Sequence, residues 1–453
     1  MIAVNASNGN SSRLPPRGAT AGTIAGRLRV TRKGGYVRNS VLVIGGGPAG
    51  LCASLALAGQ GLEVDVIERQ AIETLASPAF DGREIALTHS SMRLLRTLGV
   101  WPHIADGDVA PVRRARIMDG ARAGFEVDGS AFGHERLGVL VSNHVIRAAA
   151  WKAVAMEPRI RVHAGVGVDS VSSNETAATA RLGDGRVLEA PLLVAADSRF
   201  SESRRSMGVA THLHDFGRSM VVCRMQHEES NEGTAWEWFG DGQTRALLPL
   251  GEHLSSVVLT LPDVEAQALL SLPPEAFAVG MAARYEGRLG AMSLASTIHR
   301  YPLVATWARR FVGRRFALAG DAAIGMHPVT AHGFNLGLAS VEHLAQAAGD
   351  GLRRCADPAA PAMLARYERR HRVSSAPMFA GTQLLVGVFA GEHAFLRPLR
   401  HAAMLAGGRL PVVRRALAAN LIDDAPRPGS VARHLRLAFD VLRPRLSAGT
   451  SRT

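Results

Sequence analysis

A glycine-rich turn and an acidic residue downstream of it are the first features of this 453-residue chain that suggest a chemical task. Gly45, Gly47 and Gly50 have the G-x-G-x-x-G spacing, and Glu68 follows 18 residues after Gly50. In this pattern the first glycine permits a tight turn, the second lets a pyrophosphate approach the backbone, and the third lets a helix pack closely on a strand. An acid at this distance can accept hydrogen bonds from ribose hydroxyls. The four residues predict a dinucleotide site, without separating FAD from NAD.

The segments around the turn have the pattern of a strand–helix–strand unit. Residues 41–44 are a short apolar run, residues 51–58 are rich in Ala and Leu, and residues 62–67 have the pattern of a second strand with Glu68 at its end. The first N–H groups of the helix and its positive dipole end would face the phosphates. The alternative, a glycine-rich loop between packed elements, leaves the acid unexplained.

The composition indicates a globular protein, because 47% of the residues are hydrophobic and 20% are charged. Its length suits two domains. The net charge is +13, from 52 Lys and Arg against 39 Asp and Glu, but Lys33 and Lys152 are its two lysines. We attribute this excess of arginine to genomic base composition, and we expect no nucleic-acid partner.

The cysteines and histidines predict neither a disulfide framework nor a metal site. Cys52, Cys223 and Cys355 have no C-x-x-C spacing, so a reducing compartment fits, and the 17 histidines show no ligand pattern. Residues 1–38 resemble a transit peptide in composition, but we favour a disordered basic extension or a misassigned start. No segment of about 20 residues is apolar enough to span a membrane, which favours a cytoplasmic location.

Two further apolar segments end in an aspartate. Residues 192–196 lead to Asp197, which is followed by Ser201 and Arg204. Residues 316–319 lead to Gly320 and Asp321. An apolar strand that delivers an acid to its end is typical of a residue that contacts a ligand at the edge of a parallel sheet.

Two more segments complete the pattern, namely residues 81–87 around Arg83 and the loop that runs from Pro328 into a helix at Gly333 and Asn335. In sequence and order, all these segments resemble the UbiH-type hydroxylases of ubiquinone biosynthesis, which are FAD-dependent group A flavin monooxygenases. The sequence of residues 330–335, Thr-Ala-His-Gly-Phe-Asn, is most similar to the UbiM branch.

The resemblance implies a role for each residue. Arg83 would reach the ribose or pyrophosphate region of FAD, Asp197 would contact FAD and the passing NAD(P)H, and Asp321 would bind the ribityl chain. The backbone N–H groups of Gly333 and Asn335 would lie near the pyrimidine edge of the flavin ring. The expected cofactor-binding residues are Gly45, Gly47, Gly50, Glu68, Arg83, Asp197, Gly320, Asp321, Pro328, Gly333 and Asn335.

The chain departs from the family pattern at three places. Ser198 stands where a glycine is usual, and that glycine would matter if the position needed a positive φ. Ile324 replaces a common histidine, and Ala331-His332 replaces Gly-Gln. We interpret His332 either as a catalytic residue that influences oxygen activation or as a residue that stabilises the loop through a hydrogen bond.

The implied fold class is α/β, with a Rossmann-like FAD-binding domain of the para-hydroxybenzoate hydroxylase type, an antiparallel-sheet substrate domain and C-terminal helices. Residues 218–262 support the sheet, because apolar and polar residues alternate between turn signals. The expected division is a basic extension at 1–38, an FAD-binding domain at 39–112, 136–210 and 310–375, a substrate domain at 113–135 and 211–309, C-terminal helices at 376–420 and a tail at 421–453.

The implied activity is hydroxylation of the aromatic ring of a prenylated phenol or quinol through a C4a-hydroperoxyflavin, with NAD(P)H as reductant and O2 as co-substrate. The alternatives are hydroxylation of a soluble aromatic or polyketide substrate, and a non-catalytic flavin-binding component of a biosynthetic complex. A flavin halogenase is disfavoured, because Phe239-Gly240 follows Trp236-Glu-Trp238 where those enzymes continue to Ile-Pro. We interpret the two tryptophans as sheet aromatics that line a pocket.

A polyprenyl tail would bring the substrate from a membrane. The segment from Arg397 to Arg415 interleaves arginines with leucines, so it can lie on an anionic surface, at the periphery of the inner membrane. The alternative is a helix that packs on the FAD-binding domain with solvated arginines. The expected partners are therefore the substrate, O2, and either a membrane surface or a biosynthetic complex.

Overall fold

A computed structural model describes residues 39–119, 122–240, 242–328 and 331–389 of the chain. The expected basic extension, the tail, residues 390–420 of the expected C-terminal helices and the segment Arg397 to Arg415 lie outside the described residues. Within them, no helix is long and apolar enough to cross a bilayer.

The strands belong to four sheets. In chain order they are β1 (Ser40–Ile44), β2 (Glu63–Glu68), β3 (Glu84–Leu87), β4 (Ala110–Val112), β5 (Arg114–Asp119), β6 (Arg122–Asp128), β7 (Gly138–Ser142), β8 (Ile160–Ala164), β9 (Val168–Ser173), β10 (Ala178–Leu182), β11 (Val187–Ala190), β12 (Leu192–Ala195), β13 (Thr211–His227), β14 (Thr234–Gly240), β15 (Gln243–Gly251), β16 (Leu254–Pro262), β17 (Met292–Leu294), β18 (His299–Ala308), β19 (Val312–Gly313), β20 (Phe316–Leu318) and β21 (Ile324–Gly325).

The α-helices lie between these strands and after them. They are α1 (Pro48–Ala58), α2 (Ile72–Ala76), α3 (His89–Thr97), α4 (Asn143–Met156), α5 (Glu202–Ser206), α6 (Asp263–Leu270), α7 (Pro274–Arg284), α8 (Gly333–Cys355) and α9 (Pro361–Phe389).

A parallel sheet with the strand order β19-β20-β12-β1-β2-β8 forms the centre of the cofactor-binding part; β19 alone pairs antiparallel. The expected strand at residues 41–44 is β1, and every one of its residues is buried. Helix α1 follows it and packs against α4 and α8. The central strands β1, β12 and β20 are continuous buried runs, as is usual for parallel strands covered on both faces, whereas apolar and polar residues alternate in β2 and β8.

The contact between α1 and β1 depends on Gly50. A Cβ at this position would lie 1.9 Å from the carbonyl oxygen of Gly45, which is far inside van der Waals contact. The helix can therefore approach the end of the strand only because residue 50 has no side chain.

A large, mainly antiparallel sheet forms the second part, with the strand order β21-β18-β13-β16-β15-β14-β5-β6 and β17 paired to β13. Residues 113–135 and 211–309 supply β5, β6 and β13 to β18 of this sheet. The alternation at residues 218–262 corresponds to β13 to β16. The pairs β14–β15, β15–β16 and β16–β13 are all antiparallel. The expected domain boundaries remain a prediction, and one of them, at 375/376, falls inside the continuous helix α9.

The two faces of the large sheet pack against different parts of the molecule. Helices α6 and α7 cover one face, where Phe277 and Met281 join a buried cluster with Val221. The opposite face, called the inner face below, carries Val222 and Tyr301. It contacts residues 80–84, where the Tyr301 hydroxyl donates a hydrogen bond to the carbonyl oxygen of Asp81 at 2.7 Å.

The prediction that Trp236 and Trp238 line a pocket is wrong. Trp238 is 1% exposed and packs edge-on against Tyr285 at 5.4 Å between ring centroids, within the cluster under α6 and α7. Trp236 stacks on Trp238 at 4.9 Å. Alternation along a strand shows that residues share a face, but it does not show which face is filled by helices.

We expect Gly50→Ala to lower the free energy of unfolding by about 3 kcal/mol, because the added methyl group has no space against backbone. Gly280→Ala is the matched control, since a Cβ at this interior position of α7 meets no atom within 4 Å in the described part of the chain. Alanine there should stabilise the protein by about 1 kcal/mol through helix propensity. Chemical denaturation of both variants measures the difference, and equal midpoints would contradict the packing at Gly50.

Candidate cofactor-binding site

The first and second glycines of the turn have different surroundings, as the G-x-G-x-x-G spacing predicts. Gly45 has a φ of +110°, and a Cβ there would lie 2.6 Å from the carbonyl oxygen of Ala196. A Cβ on Gly47 would have no neighbour within 4 Å among the described residues. Gly45 is therefore required by the backbone itself, whereas Gly47 faces open space that a pyrophosphate can approach.

The start of α1 has the properties of an anion-binding site. Gly47 is the N-cap residue and offers no side-chain cap, Pro48 begins the helix, and no acidic residue lies in the first turn. The first N–H groups of a helix have no partner within the helix, and they carry its positive dipole end. A phosphate group at this position would accept hydrogen bonds from them.

Glu68 stands at the end of β2 and is 9% exposed. Its Oε2 accepts a hydrogen bond from the N–H group of Gly46 at 2.5 Å, and its Oε1 accepts one from the N–H group of Gln70 at 2.9 Å. A carboxylate has about four lone-pair positions, so both oxygens can still accept a ribose hydroxyl. The residue thus fixes the glycine-rich turn and can also bind a ligand.

One cavity of about 320 Å³ brings together residues that the sequence places far apart. Its lining includes Gly47, Glu68, Arg83 and Asp197, all four of which were predicted to bind the cofactor. They come from the glycine-rich turn, the end of β2, the segment before β3 and the segment after β12. Convergence of polar groups from separate segments on one cavity is what a ligand site requires.

Arg83 is held by an ion pair with Asp81, with 2.5 Å between Nη2 and Oδ2. Asn143 donates a further hydrogen bond to the same carboxylate at 2.7 Å. Burial acts to raise the pKa of Asp81, but the charge of Arg83 and these hydrogen bonds outweigh it and hold that pKa below its usual value. Asp81 is therefore ionised, and it orients Arg83 at the wall of the cavity.

Arg147 is a cavity residue that the sequence did not reveal. It lies in α4, and its Nε–H donates a hydrogen bond to the carbonyl oxygen of Gly46 at 3.3 Å. It also contacts the side chain of Gln70. The sequence shows an arginine near the start of a helix that follows a buried strand. It does not show that this arginine contacts the glycine-rich turn, because 101 residues separate the two partners.

Asp197 offers an acceptor that the protein leaves unpaired. Its Oδ2 accepts a hydrogen bond from the N–H group of Ser203 at 3.2 Å, whereas Oδ1 is buried and has no partner within the described residues. Buried acceptors are normally hydrogen-bonded, so this oxygen fits a donor on a ligand. The backbone of Ser198 does not have a positive φ, so this position does not require the glycine that is usual in the family.

Asp321 follows β20, and its side chain is 38% exposed. Its Oδ2 pairs with Nη2 of Arg199 at 3.0 Å. Arg199 also donates to the carbonyl oxygen of Val304 at 3.0 Å, and the buried Arg204 donates to the carbonyl oxygen of Ala322 at 2.8 Å. Two arginines from the segment after β12 therefore hold the turn that carries Asp321, and the sequence did not identify Arg199 as one of them.

Gly320 gives that turn its shape. It has a φ of +60°, and its N–H group donates a hydrogen bond to Oγ of Ser340 in α8 at 2.8 Å. A Cβ on Gly320 would lie 3.0 Å from the Cβ of Ala49 in α1. The turn before Asp321 is thus packed between the N-terminal halves of α1 and α8.

Helix α8 begins at Gly333, after the loop that contains Pro328; residues 329 and 330 of this loop lie outside the described residues. His332 directly precedes the helix and is 9% exposed. The side chain of Asn335 donates to the carbonyl oxygen of Ala86 at 2.8 Å and accepts from the N–H group of Thr88 at 3.2 Å. Asn335 therefore ties the start of α8 to β3, a task that the sequence did not suggest.

Within the described residues, the start of α8 has the features of an anion-binding site. No acidic residue lies in the first turn of α8, and the structure gives His332 no side-chain cap. The backbone N–H groups of Gly333 and Asn335 lie in that first turn, where the helix itself supplies no acceptor. The geometry fits the prediction that they face the electron-rich edge of a flavin, although the roles of the individual residues remain proposals.

Comparison with known proteins agrees with this arrangement. The profile of the family described as "FAD binding domain" matches residues 38–379. The ubiquinone hydroxylase UbiM of Neisseria meningitidis is 41% identical over 390 residues, which are 85% of each protein. The chain belongs to the family of FAD-binding ubiquinone hydroxylases. The resemblance stated from the motifs is confirmed, as are FAD as the cofactor and a flavin monooxygenase as the type of enzyme; NAD(P)H is the reductant typical of this family.

Two further comparisons separate the family from the fold. The ubiquinone hydroxylase UbiL of Rhodospirillum rubrum is 33% identical over 375 residues, 83% of this chain and 87% of that protein. The crystal structure of the p-nitrophenol 4-monooxygenase PnpA from Pseudomonas putida superimposes with a TM-score of 0.68 at 19% identity, covering 84% of this chain and 98% of that one. This likeness confirms the predicted fold class, but it carries no statement about the substrate.

We expect the purified protein to be yellow, with FAD bound non-covalently, and Glu68→Arg to lose it. The substitution replaces a ribose acceptor by a bulky donor and removes the acceptor for the Gly46 and Gln70 N–H groups. Glu63→Arg, at the opposite end of β2 and outside the cavity lining, is the control that should retain FAD. The ratio of flavin to protein absorbance measures occupancy. Normal occupancy in Glu68→Arg would remove the assignment of Glu68.

Proposed function

We propose that the chain is an FAD-dependent monooxygenase that hydroxylates the aromatic ring of a prenylated phenol or quinol intermediate of ubiquinone biosynthesis, with NAD(P)H and O2. The observation that carries the proposal is that four predicted cofactor residues line one cavity in a chain 41% identical to a ubiquinone hydroxylase. Bound FAD supplies the electron transfer and the activation of oxygen, while the protein binds, orients and excludes water.

The residues divide this binding between two helix starts. At α1, the free N–H groups and Gly47 would hold the pyrophosphate, with Glu68 on the ribose and Arg83 beside it. At α8, the first N–H groups would stabilise negative charge on the pyrimidine edge of the reduced ring. Asp321 would bind the ribityl chain between them, and the unpaired Oδ1 of Asp197 would accept a donor from the cofactor or the reductant.

The proposed substrate sets a requirement for its delivery. A polyprenyl tail is too apolar to diffuse through water, so the enzyme has to meet it at a membrane or on a lipid-binding partner. The segment Arg397 to Arg415, which has the composition for a peripheral contact with the inner membrane, lies outside the described residues. Peripheral membrane association is therefore part of the proposal and depends on the substrate test below.

We expect a prenylated phenol to accelerate NAD(P)H oxidation and to yield hydroxylated product with little free peroxide. A water-soluble phenol without the tail should couple poorly, because it lacks the apolar contacts that would hold the ring in place. Oxygen uptake, peroxide and product are measured together. Equal rates and coupling for both phenols would remove the prenyl assignment and favour a soluble aromatic or polyketide substrate. If neither phenol gave NAD(P)H oxidation, the chain would instead be a non-catalytic flavin-binding component.

We expect His332→Gln to change the shape of the pH–rate profile of substrate-driven NAD(P)H oxidation. Histidine can change its charge near neutral pH, whereas glutamine, the commoner residue of the family, cannot. His343→Gln in α8 is the control, because burial and the charge of Arg370 lower the pKa of His343 to about 4, so that it stays neutral in the assay. An unchanged profile in His332→Gln would leave this residue only its loop-stabilising role.

A further inference from the structure

One acidic residue of the large sheet takes no part in the cofactor site. Glu237 lies in the middle of β14, between Trp236 and Trp238. Both tryptophans belong to the cluster under α6 and α7. Because side chains alternate along a strand, Glu237 lies on the inner face.

Cross-strand pairing gives the position of Glu237 on that face. Glu237 pairs with Ala246 of β15, Ala246 pairs with Val258 of β16, and Val258 pairs with Val222 of β13. Directly paired residues lie on the same face of a sheet. At the end of this row, Cγ2 of Val222 lies 2.8 Å from where a Cβ on Gly82 would stand, so it packs against the residue that precedes the expected cofactor-binding arginine.

The other side of Glu237 is closed by α9. Phe239, two residues along β14 and on the same face, packs against Val388 and Leu385 near the end of this helix. Ile117 of β5, which pairs with Glu237, belongs to the same cluster. Glu237 therefore lies on the inner face between the segment at residues 80–84 and the end of α9, and its two directly paired neighbours, Ala246 and Ile117, are apolar.

The carboxyl group of Glu237 has no hydrogen bond or ion pair within the described residues. The residue is half-buried overall, and burial alone raises the pKa of its carboxyl group well above the usual 4.5. The inner face carries two more such groups, since Oγ1 of Thr244 and Oγ of Ser256 are buried and lack partners in the described part of the chain.

The placement of these two hydroxyls matches that of the acid. Thr244 pairs with Phe239, and Ser256 pairs with Arg224, so they flank the row of Glu237 on either side. Buried polar groups are normally hydrogen-bonded. Thr244 and Ser256 are thus buried without partners in the described part of the chain, and the half-buried carboxyl group of Glu237 lies in the row between theirs. A polar ligand on the inner face would find unpaired groups in three neighbouring rows.

We propose that Glu237 is a substrate-binding residue, whose carboxyl group accepts the hydrogen bond of the ring hydroxyl of a phenol bound on the inner face. Thr244 and Ser256 are further polar contacts for oxygen substituents of the same ring. The inference rests on the proposed hydroxylase function and adds to it the group that recognises the hydroxyl. A methyl ether of the same ring cannot donate this hydrogen bond and leaves the acceptor unpaired.

Calorimetric titration of the oxidised, FAD-loaded protein tests the inference without turnover. The probes are 2-geranylphenol and its methyl ether, 2-geranylanisole. We expect the wild-type protein to prefer the phenol by roughly tenfold, the ratio expected for the loss of one hydrogen bond to a carboxyl group. Glu237→Leu should bind the two probes about equally, whereas Glu237→Gln, which keeps a carbonyl acceptor, should retain most of the preference.

Glu275→Leu is the matched control, because Glu275 is exposed in α7 on the other side of the sheet, and this variant should keep the wild-type preference. Glu237→Ala removes the acceptor without adding bulk. If Glu237→Leu fails to retain FAD, the ratio of the affinities for the two probes is measured with Glu237→Ala instead. A wild-type preference in either FAD-loaded variant overturns the role of Glu237 and leaves the hydroxylase proposal standing. Binding of neither probe to the wild-type protein overturns both.

Discussion

Close backbone contact, at positions where any side chain would intrude, sets the geometry on which the cofactor site depends. A Cβ on Gly50 of α1 would lie 1.9 Å from the carbonyl oxygen of Gly45, and a Cβ on Gly320 would lie 3.0 Å from the Cβ of Ala49 in α1. Because the N–H group of Gly320 is also bonded to Ser340 of α8, the N-terminal halves of α1 and α8 meet at the end of the parallel sheet. Two helix starts, each with free N–H groups, can thus serve a single extended ligand that carries negative charge at two points.

In the described part of the chain, some charged side chains that are removed from water have partners and one has none. Glu84, with a side chain 1% exposed, is paired with Arg224 at 2.8 Å, which fixes the inner face of the large sheet to β3. Arg204 is held by carbonyl oxygens. The half-buried Glu237 has no such partner within the described residues, although partial removal of an acid from water without a partner destabilises a fold. A group retained against its own cost in stability is more consistent with binding than with structure.

The sequence predicted those parts of the structure that depend on local patterns. The turn at residues 45–50, the strand that ends at Glu68 and the alternating strands from residue 218 each follow from spacing over a few residues. The contacts of Arg147 and Arg199 join segments more than one hundred residues apart, and nothing in their local sequence specifies the partner. The placement of Trp236 was wrong for a related reason: alternation defines two faces, while packing of α6 and α7 decides which of them is covered.

Asp81 is bonded at two ends to two different parts of the molecule. Its carboxylate holds Arg83 and Asn143 at the cavity, while its carbonyl oxygen accepts the hydroxyl of Tyr301 from the large sheet. A ligand that draws Arg83 toward itself would compete with this carboxylate for the residue to which the sheet is attached. A coupling of this kind is reciprocal, so a group bound on the inner face would change the affinity for the ligand in the cavity by the same factor.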